Sequence, residues 1–137
     1  MIGVYKIYND DFVYIGSSFT VEKRRVEHKS NCTNDKSCAY HYQLYRTIRD
    51  NGGWTAFSYE ILETVSNLHI TKAQLQLKEQ FYMDELQPNM NSIRAFTDKE
   101  QRMEYNRQQS RKFYRNPNNR ESVRLYQKEY RLKQKLA

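Results

Sequence analysis

Gly3-Val4-Tyr5-Lys6-Ile7-Tyr8-Asn9-Asp10-Asp11-Phe12-Val13-Tyr14-Ile15-Gly16 consists of two runs rich in β-branched and aromatic residues on either side of Asn9-Asp10-Asp11. Such runs suit a pleated, half-buried surface, and Asn and Asp tolerate turn backbone, so the stretch reads as a β-hairpin. A two-residue loop of Asn9 and Asp10 would set Tyr5 directly across from Tyr14, on one face of the sheet. A three-residue loop would pair Tyr5 with Ile15 and divide the two tyrosines between faces unless a bulge restored them. The first register is expected. The chain has 12 tyrosines, and most tyrosines in strands simply pack. This pair is set apart by its frame: Gly3 precedes Tyr5 by two residues, and Tyr14-Ile15-Gly16-Ser17 leaves the second strand just before a helix start.

Downstream, Thr20 can cap a helix from about Val21 to Lys29, with Glu22 in its first turn. Arg24 and His28 are four apart and Val21 lies three before Arg24, so all three share one face. Taken alone, the crowd of Lys23, Arg24, Arg25 and Lys29 is a solvated basic face. A polar loop from Ser30 to Ala39 leads to a second helix over about Tyr40 to Asp50, with Leu44 and Ile48 on its buried stripe and Asn51-Gly52-Gly53 as its stop. Phe57 to Thr64 alternates as a third strand. Thr71 can cap a third helix from Lys72 to Leu86, which Pro88 ends.

On that third helix Glu79 falls in one cluster with Leu75, Tyr82, Met83 and Leu86, which places a carboxylate inside an apolar stripe. An unpaired buried carboxylate is costly, so Glu79 would need a metal or an arginine, and Arg24 is available. A rival stripe of Ala73, Leu77 and Phe81 lies opposite, and periodicity does not decide between the two.

These features together resemble the GIY-YIG nuclease family. Gly3-Val4-Tyr5 and Tyr14-Ile15-Gly16 match its two tripeptides, the first with one conservative change. Glu22-Lys23-Arg24 with His28, then Glu79, then Gln87-Pro88-Asn89-Met90-Asn91-Ser92, match its later elements in order over residues 1 to 96. The gap between the tripeptides is short, at 8 residues. The resemblance implies an α/β (α+β) fold, a small three-stranded antiparallel sheet flanked by about three helices. It also implies a metal-dependent endonuclease that hydrolyses DNA. Its catalytic set would be Tyr5, Tyr14, Arg24, His28, Glu79 and Asn91. One Mg²⁺ or Mn²⁺ per active site would be held by Glu79, with Arg24 on the phosphate, Tyr5 as general base, Tyr14 on the phosphate or the base, His28 orienting or relaying a proton, and Asn91 as a scaffold. One such site cuts one strand at a time.

Charge points to the same partner. Residues 1–96 carry 11 basic and 11 acidic side chains and residues 97–137 carry 12 and 5, so the net +7 lies entirely in the second segment. A neutral nuclease domain (1–96) with a basic arm (97–137) suits a polyanion, expected to be double-stranded DNA, better than a membrane. Thr97-Asp98-Lys99-Glu100 has the form of a capping box opening a helix to about Arg115, Asn116-Pro117-Asn118-Asn119 breaks it, and a further helix can run from Arg120 to the end. Neither has an apolar stripe wide enough for a core of its own. Candidate nucleic-acid-binding residues are Arg25, His41, Arg107, Arg111, Lys112, Arg115, Arg120, Arg124, Lys128 and Arg131, interleaved in the arm with Tyr105, Tyr114, Tyr126 and Tyr130 for stacking.

His28, Cys32, Cys38 and His41 could be four zinc ligands, but the Cys-x5-Cys gap is loose for zinc and would divert His28, so structural zinc is not expected. Without a signal-peptide pattern or a membrane span, the reading is an unsecreted, intracellular protein of a bacterium or virus-infected cell, with free thiols and no evident protein partner, monomeric in solution. The alternatives are a catalytically inactive binding module of the same fold, and a restriction or structure-specific repair nuclease of the same family.

Overall fold

The hairpin forms, with a wider loop than Asn9 and Asp10 alone. In the computed structural model, which describes residues 1–92 and 94–136, β1 (Ile2–Tyr8) and β2 (Val13–Ser18) pair antiparallel with Tyr8 opposite Val13 and Tyr5 opposite Gly16. Asn9 sets the turn: its Oδ1 accepts the N–H groups of Asp11 and Phe12 at 2.9 and 2.7 Å, and its own N–H donates to the Phe12 carbonyl at 2.9 Å. Tyr14 therefore lies across from Ile7, not Tyr5. Lengthening the loop by two residues displaces the pairing without changing its parity, so both tyrosines still point to the same face.

β3 (Ser58–Val65), starting one residue later than expected, pairs antiparallel with the other side of β1 to give the order β2-β1-β3. The pairing shifts where Val4 meets Glu63 but Tyr5 meets Ile61. The two faces of this sheet carry separate cores. Tyr5 and Ile7 pack with Val21 and Cys32 of α1 (Val21–Thr33) and with Tyr45 and Ile48 of α2 (Gln43–Asp50), whereas Val4 and Ile15 pack with Leu75 of α3 (Lys72–Leu86).

α1 runs four residues beyond the expected Lys29. Thr20 occupies its N-cap position but makes no side-chain capping bond. The start is pinned instead by Met1, whose carbonyl accepts from the Val21 N–H at 3.0 Å and whose amine pairs with Glu22 at 3.2 Å. Successive turns occupy the chain as far as Tyr42, so α2 begins three residues later than expected. Beyond it, Gly52 and Gly53 take φ of +104° and +83°, which glycine adopts without a Cβ penalty.

α3 has the expected bounds, with a capping box between Thr71 and Gln74, and ends at Gln87 in the left-handed region ahead of Pro88. Leu75, Tyr82 and Met83 face the sheet while Leu77 and Phe81 are exposed, so the stripe that contains Glu79 is the buried one.

The chain divides into two units, Met1–Phe96 and Thr97–Ala137. The second contains α4 (Lys99–Arg115) and α5 (Pro117–Leu136), neither with a buried residue. The α4 capping box is made by Asp98 and Gln101, one register on from the expected Thr97 and Glu100. α5 starts at Pro117, whose fixed φ suits a first helical position. Ala137 lies outside the described residues. Among the described residues no helix is long and apolar enough to cross a membrane.

Candidate active site

β2 is an edge strand, and its free edge is occupied by the segment after α3. Asn89 accepts from the Val13 N–H at 2.8 Å and donates to the Asp11 carbonyl at 2.7 Å. The Met90 N–H donates to the Val13 carbonyl at 3.0 Å. Asn91 accepts from the Ile15 N–H at 2.9 Å and donates to its carbonyl at 2.8 Å. This asparagine ladder closes one end of a groove of about 630 Å³ lined by Tyr14, Arg24, His28, Tyr45, Glu79 and Asn91, among others. Both layers reach it, because Tyr14 points from β2 toward α1 while Ser17, of opposite parity, points toward α3.

Glu79 is held on that second side by the Ser17 hydroxyl, which donates to its Oε2 in a short hydrogen bond. Burial raises the Glu79 pKa, and the Ser17 hydrogen bond and the Arg24 charge oppose the rise. The expected partner of Glu79 is Arg24, but the ion pair Arg24 makes is with Glu27, one turn along its own helix at 3.0 Å. Burial works against charge on Arg24, yet Glu27 and the neighbouring Tyr5 hold its pKa above the usual arginine value. The guanidinium is half-buried, close to the Tyr5 and Tyr14 hydroxyls and facing the groove.

At the floor of the groove His28 is fully buried, with Nε2 2.7 Å from the Tyr5 hydroxyl and Nδ1 2.8 Å from the Tyr45 hydroxyl. Burial first, then the Arg24 charge, push its pKa down to about 3, so the imidazole is neutral. Tyr5 is only 1% exposed, its ring stacked on Tyr59 at 4.8 Å and Gly16 directly across from it. A Cβ on Gly16 would sit 2.6 Å from the Tyr5 hydroxyl, so only glycine admits that ring. Burial and the Tyr14 charge raise the Tyr5 phenol far above its usual value, against the lowering effect of Arg24. In this arrangement the Tyr5 hydroxyl is committed to His28 and sealed from solvent. Tyr14, which does line the groove, is pushed up to about 12 by burial and then by the Glu79 charge.

The six expected catalytic residues thus converge, five lining the groove and Tyr5 beneath it. Ser17, Tyr45, Tyr59 and Asn89 escape a reading of the sequence. Asn89 stands in the closing motif at the same parity as Asn91, which is the available signal; nothing local marks the others. His41 is exposed against its neighbour Tyr40 and is not in the groove. Arg25 lies on another side of α1, 5.6 Å over the Tyr59 ring, in a separate groove with Lys29 and Trp54. Cys32 is buried and Cys38 exposed.

Among the described residues no cluster of three His, Cys, Asp or Glu could hold a metal. A single carboxylate still fits a hard divalent cation, since Mg²⁺ keeps most of its water and takes one or two carboxylates plus substrate phosphate oxygens. Glu79 is the carboxylate that lines the groove and is the candidate for that purpose.

No family model matches the chain, and no curated protein matches it. Two solved structures do. A mutant form of the catalytic domain of intron endonuclease I-TevI shares 26% identity, covering 71% of this chain and 98% of that one, with a TM-score of 0.56. The catalytic domain of homing endonuclease I-TevI shares 28% identity, covering 66% of this chain and 94% of that one, with a TM-score of 0.53. The fold is that of a GIY-YIG nuclease domain. In this chain the first tyrosine lies beneath the groove and the second forms its wall, a division that the two tripeptides do not reveal.

The second unit presents its charge in rows. At about 100° per residue, Arg120, Arg124, Lys128, Arg131 and Lys135 of α5 fall within an arc of about 80°, along about 22 Å of helix. Among the described residues none of the five has an ion-pair partner, whereas Lys133, off the row, pairs with Glu129 at 2.9 Å. On α4, Arg107, Arg111 and Arg115 form a second row at i, i+4 spacing, with Lys112 outside it and Arg107 paired to Glu104 at 3.6 Å.

Proposed function

We propose that the chain is a metal-dependent endonuclease that hydrolyses phosphodiester bonds of double-stranded DNA, with the basic second unit supplying affinity. The observation that carries this reading is the convergence of Arg24, Glu79, Tyr14 and Asn91, from four separate segments, on one groove.

Hydrolysis requires a water to lose a proton, charge on the phosphoryl to be balanced, and the leaving oxygen to be stabilised. Arg24 contacts the phosphate oxygens, since its planar donors suit them and its ion pair with Glu27 is half-exposed and readily exchanged. A divalent cation held by Glu79 would supply charge neutralisation on the leaving-group side. Tyr14 hydrogen-bonds the phosphate or the water from the wall. Tyr5 is the base: as Arg24 turns to the phosphate its hydroxyl is uncovered, it takes the water's proton, and its own passes to His28 Nε2, 2.7 Å away. Asn91 keeps β2 in place throughout.

The test is nicking of supercoiled plasmid with Mg²⁺, comparing wild type with Glu79→Ala and Arg24→Ala. Loss in both variants supports the assignment, and unchanged activity in both overturns it. One observation favours a non-catalytic DNA-binding module instead, namely that Tyr5 is almost sealed from solvent. Absence of wild-type cleavage across metals and salt, with DNA binding retained, would select that reading.

A further inference from the structure

His28 can take a proton from Tyr5 only through a ring nitrogen that does not already carry one, and in a neutral imidazole one nitrogen carries a hydrogen and one does not. Which is which depends on the hydrogen bond made by the other nitrogen. Here that bond goes to Tyr45, a residue of α2 that is 3% exposed and also lines the groove.

Tyr45 is itself oriented as an acceptor. The Ala39 N–H donates to Ser37 Oγ at 3.3 Å, and the Ser37 hydroxyl donates to Asn31 Oδ1 at 2.7 Å. This fixes the Asn31 amide so that its Nδ2 donates to the Tyr45 oxygen at 3.4 Å. A phenol oxygen placed among donors leaves its own hydrogen to turn toward the groove.

We propose that Tyr45 is a positioning residue that accepts the Nδ1–H of His28, holds Nε2 bare against the Tyr5 hydroxyl, and is the outlet of a proton relay from Tyr5 to the groove. In the step, the Tyr5 O–H bond breaks as an Nε2–H bond forms. The Nδ1–H bond breaks as an O–H bond forms on Tyr45, and the hydrogen Tyr45 already held passes to a water in the groove. His28 ends neutral, which matters because burial and the facing Arg24 charge both oppose an imidazolium. Tyr14, the other titratable group packed against the ring at 5.7 Å, makes no hydrogen bond to it among the described residues.

The proposal rests on the hydrolytic reading above, but its first test does not require activity. Long-range ¹H–¹⁵N correlation of the His28 ring in the wild-type protein should show the Nδ1–H tautomer, the less common form of free histidine. Observation of the Nε2–H tautomer overturns the proposal whether or not the protein cuts DNA. Tyr45→Phe should then move the ring toward Nε2–H and lower kcat on plasmid by roughly a hundredfold, with KM unchanged. An unchanged kcat in a folded Tyr45→Phe variant, or an unchanged tautomer, overturns it as well.

Discussion

Asn91 grips Ile15 by both backbone groups, accepting its N–H at 2.9 Å and donating to its carbonyl at 2.8 Å. Ile15 is fully buried and sits between Tyr14 and Gly16, so this one side chain fixes the stretch of β2 on which the tyrosine wall depends. Asn91→Ala leaves a donor and an acceptor without partners and should cost about 1–3 kcal/mol in urea unfolding. Asn91→Asp, which keeps the acceptor but not the donor, should fall between. Stability equal to wild type in both would show that the ladder is dispensable.

Glu79 and Tyr14 should titrate as neighbours. After burial, the Glu79 charge is the next cause raising Tyr14 to about 12. Glu79→Gln removes that charge, so the Tyr14 phenol should titrate at lower pH. Phenolate absorbance would detect the change, and the Tyr14→Phe background would assign it. An alkaline titration curve identical to wild type would contradict the proximity.

His28 makes the first unit sensitive to acid. The unfolded chain binds a proton at this residue near pH 6.5 and the folded chain only near 3, so its contribution is complete above about pH 6.5 and drains away as pH falls. By pH 4 the loss approaches about 3 kcal/mol, with the raised Glu79 acting in the opposite direction. Urea midpoints from pH 7 to 4 should drop more steeply in wild type than in His28→Gln. Parallel curves would rule out a histidine origin.

The row on α5 predicts a salt signature. Replacing Arg120, Arg124, Lys128 and Arg131 by Gln should flatten the slope of log affinity for duplex DNA against log salt by up to about 3.6, at about 0.9 for each phosphate left without its cation. Cleavage should persist at high enzyme concentration. An unaltered slope would remove the second unit from DNA binding.

Gly16→Ala tests the Tyr5 seat. A Cβ at that position collides with the Tyr5 ring, and the ring cannot yield without leaving His28. Overpacking of this kind costs about 1–3 kcal/mol. The tyrosine hydrogen bond should break as well, which the His28 ring shifts would report.

What the sequence made legible followed from period and punctuation. The parity of Tyr5 and Tyr14, the bounds of α3 and the helix break at Asn116-Pro117 are properties of neighbouring residues. The stripe of Glu79 was legible as a stripe but not as the buried one, because only the exposure of Leu77 and Phe81 decides between two apolar faces. The hairpin register failed by two residues because Asn9 recruits two backbone N–H groups at once, which is turn chemistry that composition does not count. The Ser17–Glu79 bond joins residues 62 apart, and the Tyr45–His28 bond connects two helices across an irregular segment; no local pattern encodes either.

The asparagine ladder also sets a schedule. It ties residues separated by 76 positions, so a chain emerging from synthesis can close its hairpin early but cannot finish the groove until residue 91 is available. Until then the edge of β2 stands unpaired and the arginine and glutamate have no fixed wall between them. The groove is therefore among the last parts of the first unit to be assembled.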